Sequence, residues 1–112
     1  MARFTRAERI RRRGEFQRVY RHGLKLQGRY ATVFMLPNNL GCGRLGIAAT
    51  KRLGGSVRRN RAKRLIREVF RQNKLAPGFD VVVVPKRELL DAGPKAFEAE
   101  YQRNIQRRRP ER

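Results

Sequence analysis

The sequence is short of almost everything from which a protein builds chemistry of its own. It contains one cysteine, Cys42, one histidine, His22, and one serine, Ser56. A lone cysteine forms no intrachain disulfide, and neither Cys42 nor His22 has companions at metal-ligand spacing. Cys42, between Gly41 and Gly43, reads as a loop residue, and this cysteine usage points to a reducing, cytoplasmic setting. His22 has no evident carboxylate to orient it towards a serine nucleophile. Carboxylates number nine in 112 residues and are scattered from Glu8 to Glu111, whereas a two-metal nuclease clusters them around its ions. No apolar run approaches the ~20 residues of a membrane span, and no apolar signal core follows Met1. The expectation is a chain with no metal site, no membrane segment and no catalytic residues of its own.

What is present is positive charge. Twenty-nine lysines and arginines give a formal net charge of +20 and a pI of about 11.8. A monomer so charged repels itself, and a polyanion relieves the repulsion. Most of the charge is arginine, whose planar guanidinium pairs with phosphate in two-pronged fashion and stacks on bases, which favours nucleic acid as the partner. With 39% hydrophobic residues, the length suits one nucleic-acid-binding domain over 1–112, and a ribosomal-type or DNA-compacting protein would show the same totals. Its ends read as a basic arm, 1–13, and a basic tail, 107–112, that should fray.

Along the chain, Thr5-Arg6-Ala7-Glu8 fits a capping box. Gly14 breaks the arginine run, and Glu15 to Arg21 reads as a short helix with Phe16, Val19 and Tyr20 on one face, ended by Gly23. Leu24 to Leu36 is strand-like, but both its faces are apolar, and one is unusually aromatic for solvent. Arg44 to Thr50 reads as a second strand, whose Gly46, Ala48 and Thr50 are small enough to leave an open floor. Gly54-Gly55 precedes a helix capped by Ser56 and running to about Asn73, with Ala62, Leu65, Ile66, Val69 and Phe70 as its apolar stripe. Val81 to Val84 is an apolar, central strand. Gly93-Pro94 opens a last helix with Phe97, Tyr101 and Ile105 every four residues. The order α-β-β-α-β-α implies an α+β fold, an α/β sandwich in which helices pack on one side of a small mixed sheet.

The segment Lys51 to Glu68 is the strongest feature. An ordinary solvated helix face alternates charge; this one is almost purely cationic and repels itself. Its cations also crowd a helix N-terminus, where the macrodipole disfavours them. The glycines and free amides at that helix start form a natural phosphate cradle, so a bound anion would compensate both penalties.

Within this segment, Arg59-Asn60-Arg61-Ala62-Lys63-Arg64-Leu65-Ile66-Arg67 resembles the R-N-R-x-K-R-hydrophobic-hydrophobic-R signature helix of the bacterial ribonuclease P protein family. Three further blocks are similar to that family in the same order: Gly14 to Gly23, Arg44 to Arg52 and Phe79 to Lys86. Thr50 and Arg52 stand where the family usually has serine and lysine. The resemblance covers roughly 4–107, and the arginine-rich tail is not part of it.

The resemblance implies a ribosomal-protein-like fold with a left-handed β-α-β crossover, which ordinary topology rules would not predict. It implies a protein subunit that binds the catalytic ribonuclease P RNA and the single-stranded 5′ leader of precursor tRNA, one copy in a 1:1 ribonucleoprotein, with magnesium held by the RNA, which performs the hydrolysis. The leader cleft would use Phe16, Tyr20 and Phe34 above Gly46, Ala48 and Thr50, where base stacking on each aromatic contributes ~1–3 kcal/mol irrespective of sequence. The catalytic RNA would meet Lys51, Arg52, Arg59, Asn60, Arg61, Lys63, Arg64 and Arg67. Arg64 or Arg67 could also reach the leader, and the arm (Arg9, Arg11, Arg12, Arg13) would add non-specific phosphate contacts. Charge by itself suits a structural or chaperone-like RNA-binding protein, such as a ribosomal component, equally well; the four ordered blocks set the two apart.

Overall fold

The computed structural model describes residues 8–74 and 78–108. Its sheet consists of β1 (Leu24–Gln27), β2 (Ala31–Pro37), β3 (Arg44–Ile47) and β4 (Phe79–Pro85), in the spatial order β1-β2-β4-β3. β1 and β2 form an antiparallel hairpin, β2 pairs antiparallel with β4, and β3 runs parallel to β4. The helices are α1 (Arg13–His22), α2 (Ser56–Gln72), α3 (Glu88–Ala92) and α4 (Pro94–Arg108), with a 3-10 turn at Lys51–Leu53. α2 joins the adjacent parallel strands β3 and β4, as a β-α-β unit requires.

Four valines in succession are tolerated in β4 because both of its faces are covered. Val81 and Val83 join Val33, Met35 and Leu45 beneath α2, α3 and α4, meeting Ile66, Phe70, Leu89, Phe97, Tyr101 and Ile105. Val82 faces the other way and is buried with Val19 of α1 and Ile10. The helical stripe of α2 holds as read, with Ala62, Ile66, Val69 and Phe70 buried. Burying each large apolar side chain contributes roughly 1.5–3 kcal/mol, so this two-sided core fixes the sheet and the helices on it.

The architecture is the α+β class expected, and the details differ in instructive ways. Helices do not all pack on one side: three cover one face, while α1 lies across the other. The stretch from Leu24 to Leu36 is two strands, because the turn between them is held from a distance. The Glu100 carboxylate of α4 accepts the backbone N–H groups of Arg29 at 2.6 Å and Tyr30 at 3.1 Å. α1 starts at Arg13 and not at Glu15, so Gly14 sits inside the helix rather than ahead of it, with open space around it. β3 ends at Ile47, since Thr50 is drawn off to cap the 3-10 turn by accepting the Arg52 N–H at 3.4 Å. Gly55 rather than Ser56 takes the N-cap position of α2, and no side chain caps that helix. The turn before it is fixed by Arg58, whose Nε donates to the Leu53 carbonyl at 2.7 Å; Gly54 has φ +122°, and a Cβ there would come within 2.7 Å of the Arg58 side chain. The short α3 was not foreseen. α4 continues through Arg108, two residues into the expected basic tail. Residues 109–112, and Thr5, Arg6 and Ala7 of the expected capping box, lie outside the described residues.

Candidate nucleic-acid interface

The face of the sheet under α1 is only partly covered. In register across it, Lys25 pairs with Phe34, Phe34 with Val82, and Val82 with Gly46. The next tier is Gln27, Thr32 and Val84. α1 covers the first tier: Phe16 and Val19 lie with Val82 and Phe34 in one apolar cluster. In the second tier Thr32 and Val84 are half-buried and line an open cleft.

Three of the expected site residues come together here. Phe16 stands 6.4 Å from Tyr20 between ring centroids, and Tyr20 stands 5.0 Å from Phe34 in an edge-on arrangement. Phe16 and Phe34 are half-buried, whereas Tyr20 is 39% exposed. Burial pushes the Tyr20 hydroxyl above its ordinary value, so it remains a neutral donor at physiological pH. The row exists because Gly46 has no side chain: a Cβ there would lie 2.8 Å from Phe16 Cζ and 3.1 Å from Ile10 Cβ. Phe16 is therefore both seated on the sheet and part of an open aromatic edge. Lys25 places its ammonium 6.0 Å from the Phe34 ring centre, near the outer limit for a cation–π contact.

Cationic clefts flank the β3 segment at two places. One, of about 630 Å³, lies at the carboxyl ends of the parallel strands. Thr32, Val84 and Pro85 floor it, and Lys51, Arg52, Lys86 and Arg87 rim it, with Thr50 beside them. The other, of about 270 Å³, opens at the free edge of β3, where residue Arg9 makes a parallel bridge to Leu45. Phe16 and Ile10 form one wall of it and Lys63 and Arg67 of α2 the other. Among the described residues, no carboxylate lines either cleft. Such surfaces can stack planar rings and neutralise phosphates at the same time.

Along α2, Asn60, Arg61, Arg64 and Arg67 are exposed, and Arg59 and Lys63 half-buried. Among the described residues the ion pairs are Arg44 with Glu15 and Asp80, Arg71 with Glu68, and Lys74 with Glu8. None draws on the cations of the signature segment. The Arg59 Nε is buried with no hydrogen-bond partner among the described residues. Ala48 is half-buried just past β3, with its N–H donated to the Val83 carbonyl at 3.0 Å. Thr50, Lys51 and Arg52 are exposed on the turn. Among the described residues, no three histidine, cysteine or carboxylate side chains come together where they could share a metal ion.

Sequence reasoning missed Lys86 and Arg87. The available signal was their position directly after a strand running parallel to β3, since ligands of open parallel sheets collect outside the carboxyl ends of the strands. It also missed Arg44, Glu15 and Asp80, whose linkage is legible only in three dimensions.

A family model described as Ribonuclease P matches residues 4–109. The ribonuclease P protein component of Thermotoga maritima is 43% identical over 88 residues, covering 77% of this chain and 75% of that one. The corresponding protein of Clostridioides difficile is 31% identical over 93% of this chain and 94% of its own. Among solved structures, the ribonuclease P protein of Thermotoga maritima superposes with a TM-score of 0.81 at 32% identity, covering 92% of this chain and 99% of that one. That of Staphylococcus aureus gives 0.81 at 28% identity, over 93% and 97%. With the fold, the signature helix and nearly the full length in common, the chain belongs to the ribonuclease P protein family and is a protein subunit of that tRNA-processing ribonucleoprotein.

Proposed function

We propose that this subunit binds the catalytic RNA through the exposed cations of α2 and the Lys51–Arg52 turn, and holds the single-stranded 5′ leader of precursor tRNA across the open face of the sheet. One observation carries the reading: an aromatic row stands open beside clefts lined by cations and, among the described residues, by no carboxylate. Leader bases stack on Phe16, Tyr20 and Phe34, over the small floor of Ala48 and Thr50. Leader phosphates meet Lys51, Arg52, Lys86 and Arg87, and Arg67 serves both RNAs from the cleft it shares with Phe16. Arg59, Asn60, Arg61, Lys63 and Arg64 face the catalytic RNA. Magnesium is held by the RNA subunit, which performs the cleavage, while the protein raises affinity for precursor over mature tRNA. One copy acts in a 1:1 ribonucleoprotein in the cytoplasm.

Reconstitution with a bacterial ribonuclease P RNA tests this directly. Added protein should restore leader cleavage at a magnesium concentration too low for the RNA alone, and protein without RNA should cleave nothing. Unchanged cleavage at low magnesium would remove the proposal.

Phe16→Ala should weaken precursor tRNA binding by about five- to tenfold, the low end of what one lost base stack is worth. Binding of mature tRNA, which has no leader, should hold. The check is a pair of titrations of the holoenzyme, and equal losses for both ligands would make Phe16 a purely structural residue.

A further inference from the structure

Two of the chain's nine carboxylates converge on one arginine beside the proposed leader cleft. Arg44, in β3, donates Nε and Nη2 to the two oxygens of Asp80 at 2.8 and 2.7 Å. Its Nη1 donates to Glu15 Oε2 at 3.0 Å. Asp80 is 2% exposed and also accepts from Asn38 Nδ2 at 2.9 Å. The Asp80 pair already forms a bidentate fork, which is the strongest geometry available to an arginine. Glu15 therefore adds something other than satisfaction of a buried charge: it connects α1 to the sheet.

The position of that connection matters. Glu15 immediately precedes Phe16, and Phe16 rests on Gly46, which lies two residues beyond Arg44 in the same strand. At its other end α1 passes into β1 through Gly23, whose N–H donates to the Val19 carbonyl at 2.8 Å. The short helix is thus held by chain continuity with β1 at one end; at the other, the ion pair acts beside the preceding residues, where the Ile10 N–H donates to the Leu45 carbonyl at 2.8 Å. A carboxylate so near a surface meant for a polyanion is unfavourable for binding on electrostatic grounds alone.

We propose that Glu15, acting through Arg44 and Asp80, is a positioning residue: it holds the N-terminal end of α1 against the sheet and thereby fixes the Phe16 ring as one wall of the leader cleft. This rests on the leader-binding reading above, which it deepens by naming what sets the geometry of the cleft.

The sign of the effect separates the clamp from simple electrostatics. Removing a negative charge beside a polyanion should tighten binding, whereas releasing α1 should weaken it. In the holoenzyme, Glu15→Ala should lower the preference for precursor over mature tRNA about fivefold, with mature tRNA binding unchanged. Introduced into Phe16→Ala, the same substitution should add nothing, because the wall it positions has gone; such non-additivity is what a double-mutant cycle detects. Tighter or unchanged precursor binding by Glu15→Ala, or full additivity with Phe16→Ala, would overturn the clamp. If Phe16→Ala itself leaves the preference intact, the leader reading falls, and the clamp's role falls with it.

Discussion

Asp80→Ala should lower folding stability by about 3 kcal/mol, because it leaves the Arg44 guanidinium largely buried with only Glu15 for company. Asp80 is 2% exposed and the Arg44 side chain 18%, so water replaces the lost fork only in part. Domains of this kind hold only about 5–15 kcal/mol in total. With a urea m-value near 1.5 kcal/mol/M, the unfolding midpoint should fall by roughly 2 M. A loss below about 1 kcal/mol would mean that Arg44 reaches solvent more freely than its geometry indicates.

The same cluster sets the acid limit. Burial is the largest single influence on Asp80 and pushes its carboxyl up, but hydrogen bonds from Arg44 and Asn38 and the nearby charges of Arg44 and Arg18 together hold it below its ordinary value. Glu15 follows the same pattern, with burial acting upward and Arg44 and the Arg12 backbone N–H outweighing it. Arg44 is pushed up, chiefly by its hydrogen bond to Asp80. A carboxyl whose folded pKa lies below its unfolded one contributes stability that is complete above the unfolded value and lost as pH falls through the folded one. The parent's urea midpoint should therefore drop below about pH 4, and Asp80→Ala should flatten that part of the profile.

Elements whose reasons are local were legible in the sequence. The apolar stripe of α2 repeats at helical spacing, the valines of β4 announce a strand covered on both faces, and Phe97, Tyr101 and Ile105 mark the buried side of α4, all 2% exposed or less. Elements whose reasons are distant were not. The turn that splits β1 from β2 depends on a carboxylate 70 residues away, and the side of the sheet taken by α1 depends on a glycine in β3. The same division runs through the site. Lys51, Arg52 and the α2 cations show themselves as a one-signed run, because exposed charge writes its pattern directly into sequence. Arg44 looks like one more cation until Asp80 and Glu15 are placed around it, and Lys86 and Arg87 acquire meaning only once β3 and β4 are known to lie parallel.

That contrast between an arginine bound inward and arginines facing outward leads to an expected result of opposite character to Asp80→Ala. Arg61, Arg64 and Arg67 follow one another at i, i+3 and i+6 on α2, all exposed and none in an ion pair among the described residues. Replacing all three by alanine removes like-charge repulsion and introduces the best helix former, so stability should stay level or rise slightly. Binding of the ribonuclease P RNA should nevertheless weaken by about a hundredfold at ~0.1 M salt. The log–log dependence of affinity on salt should flatten by roughly two to three units, about one for each phosphate no longer neutralised. Salt titrations of RNA binding beside urea melts of the free protein read both quantities. If the slope does not change, these side chains meet water and not phosphate. If stability falls with affinity, they belong to the fold, as Arg44 does.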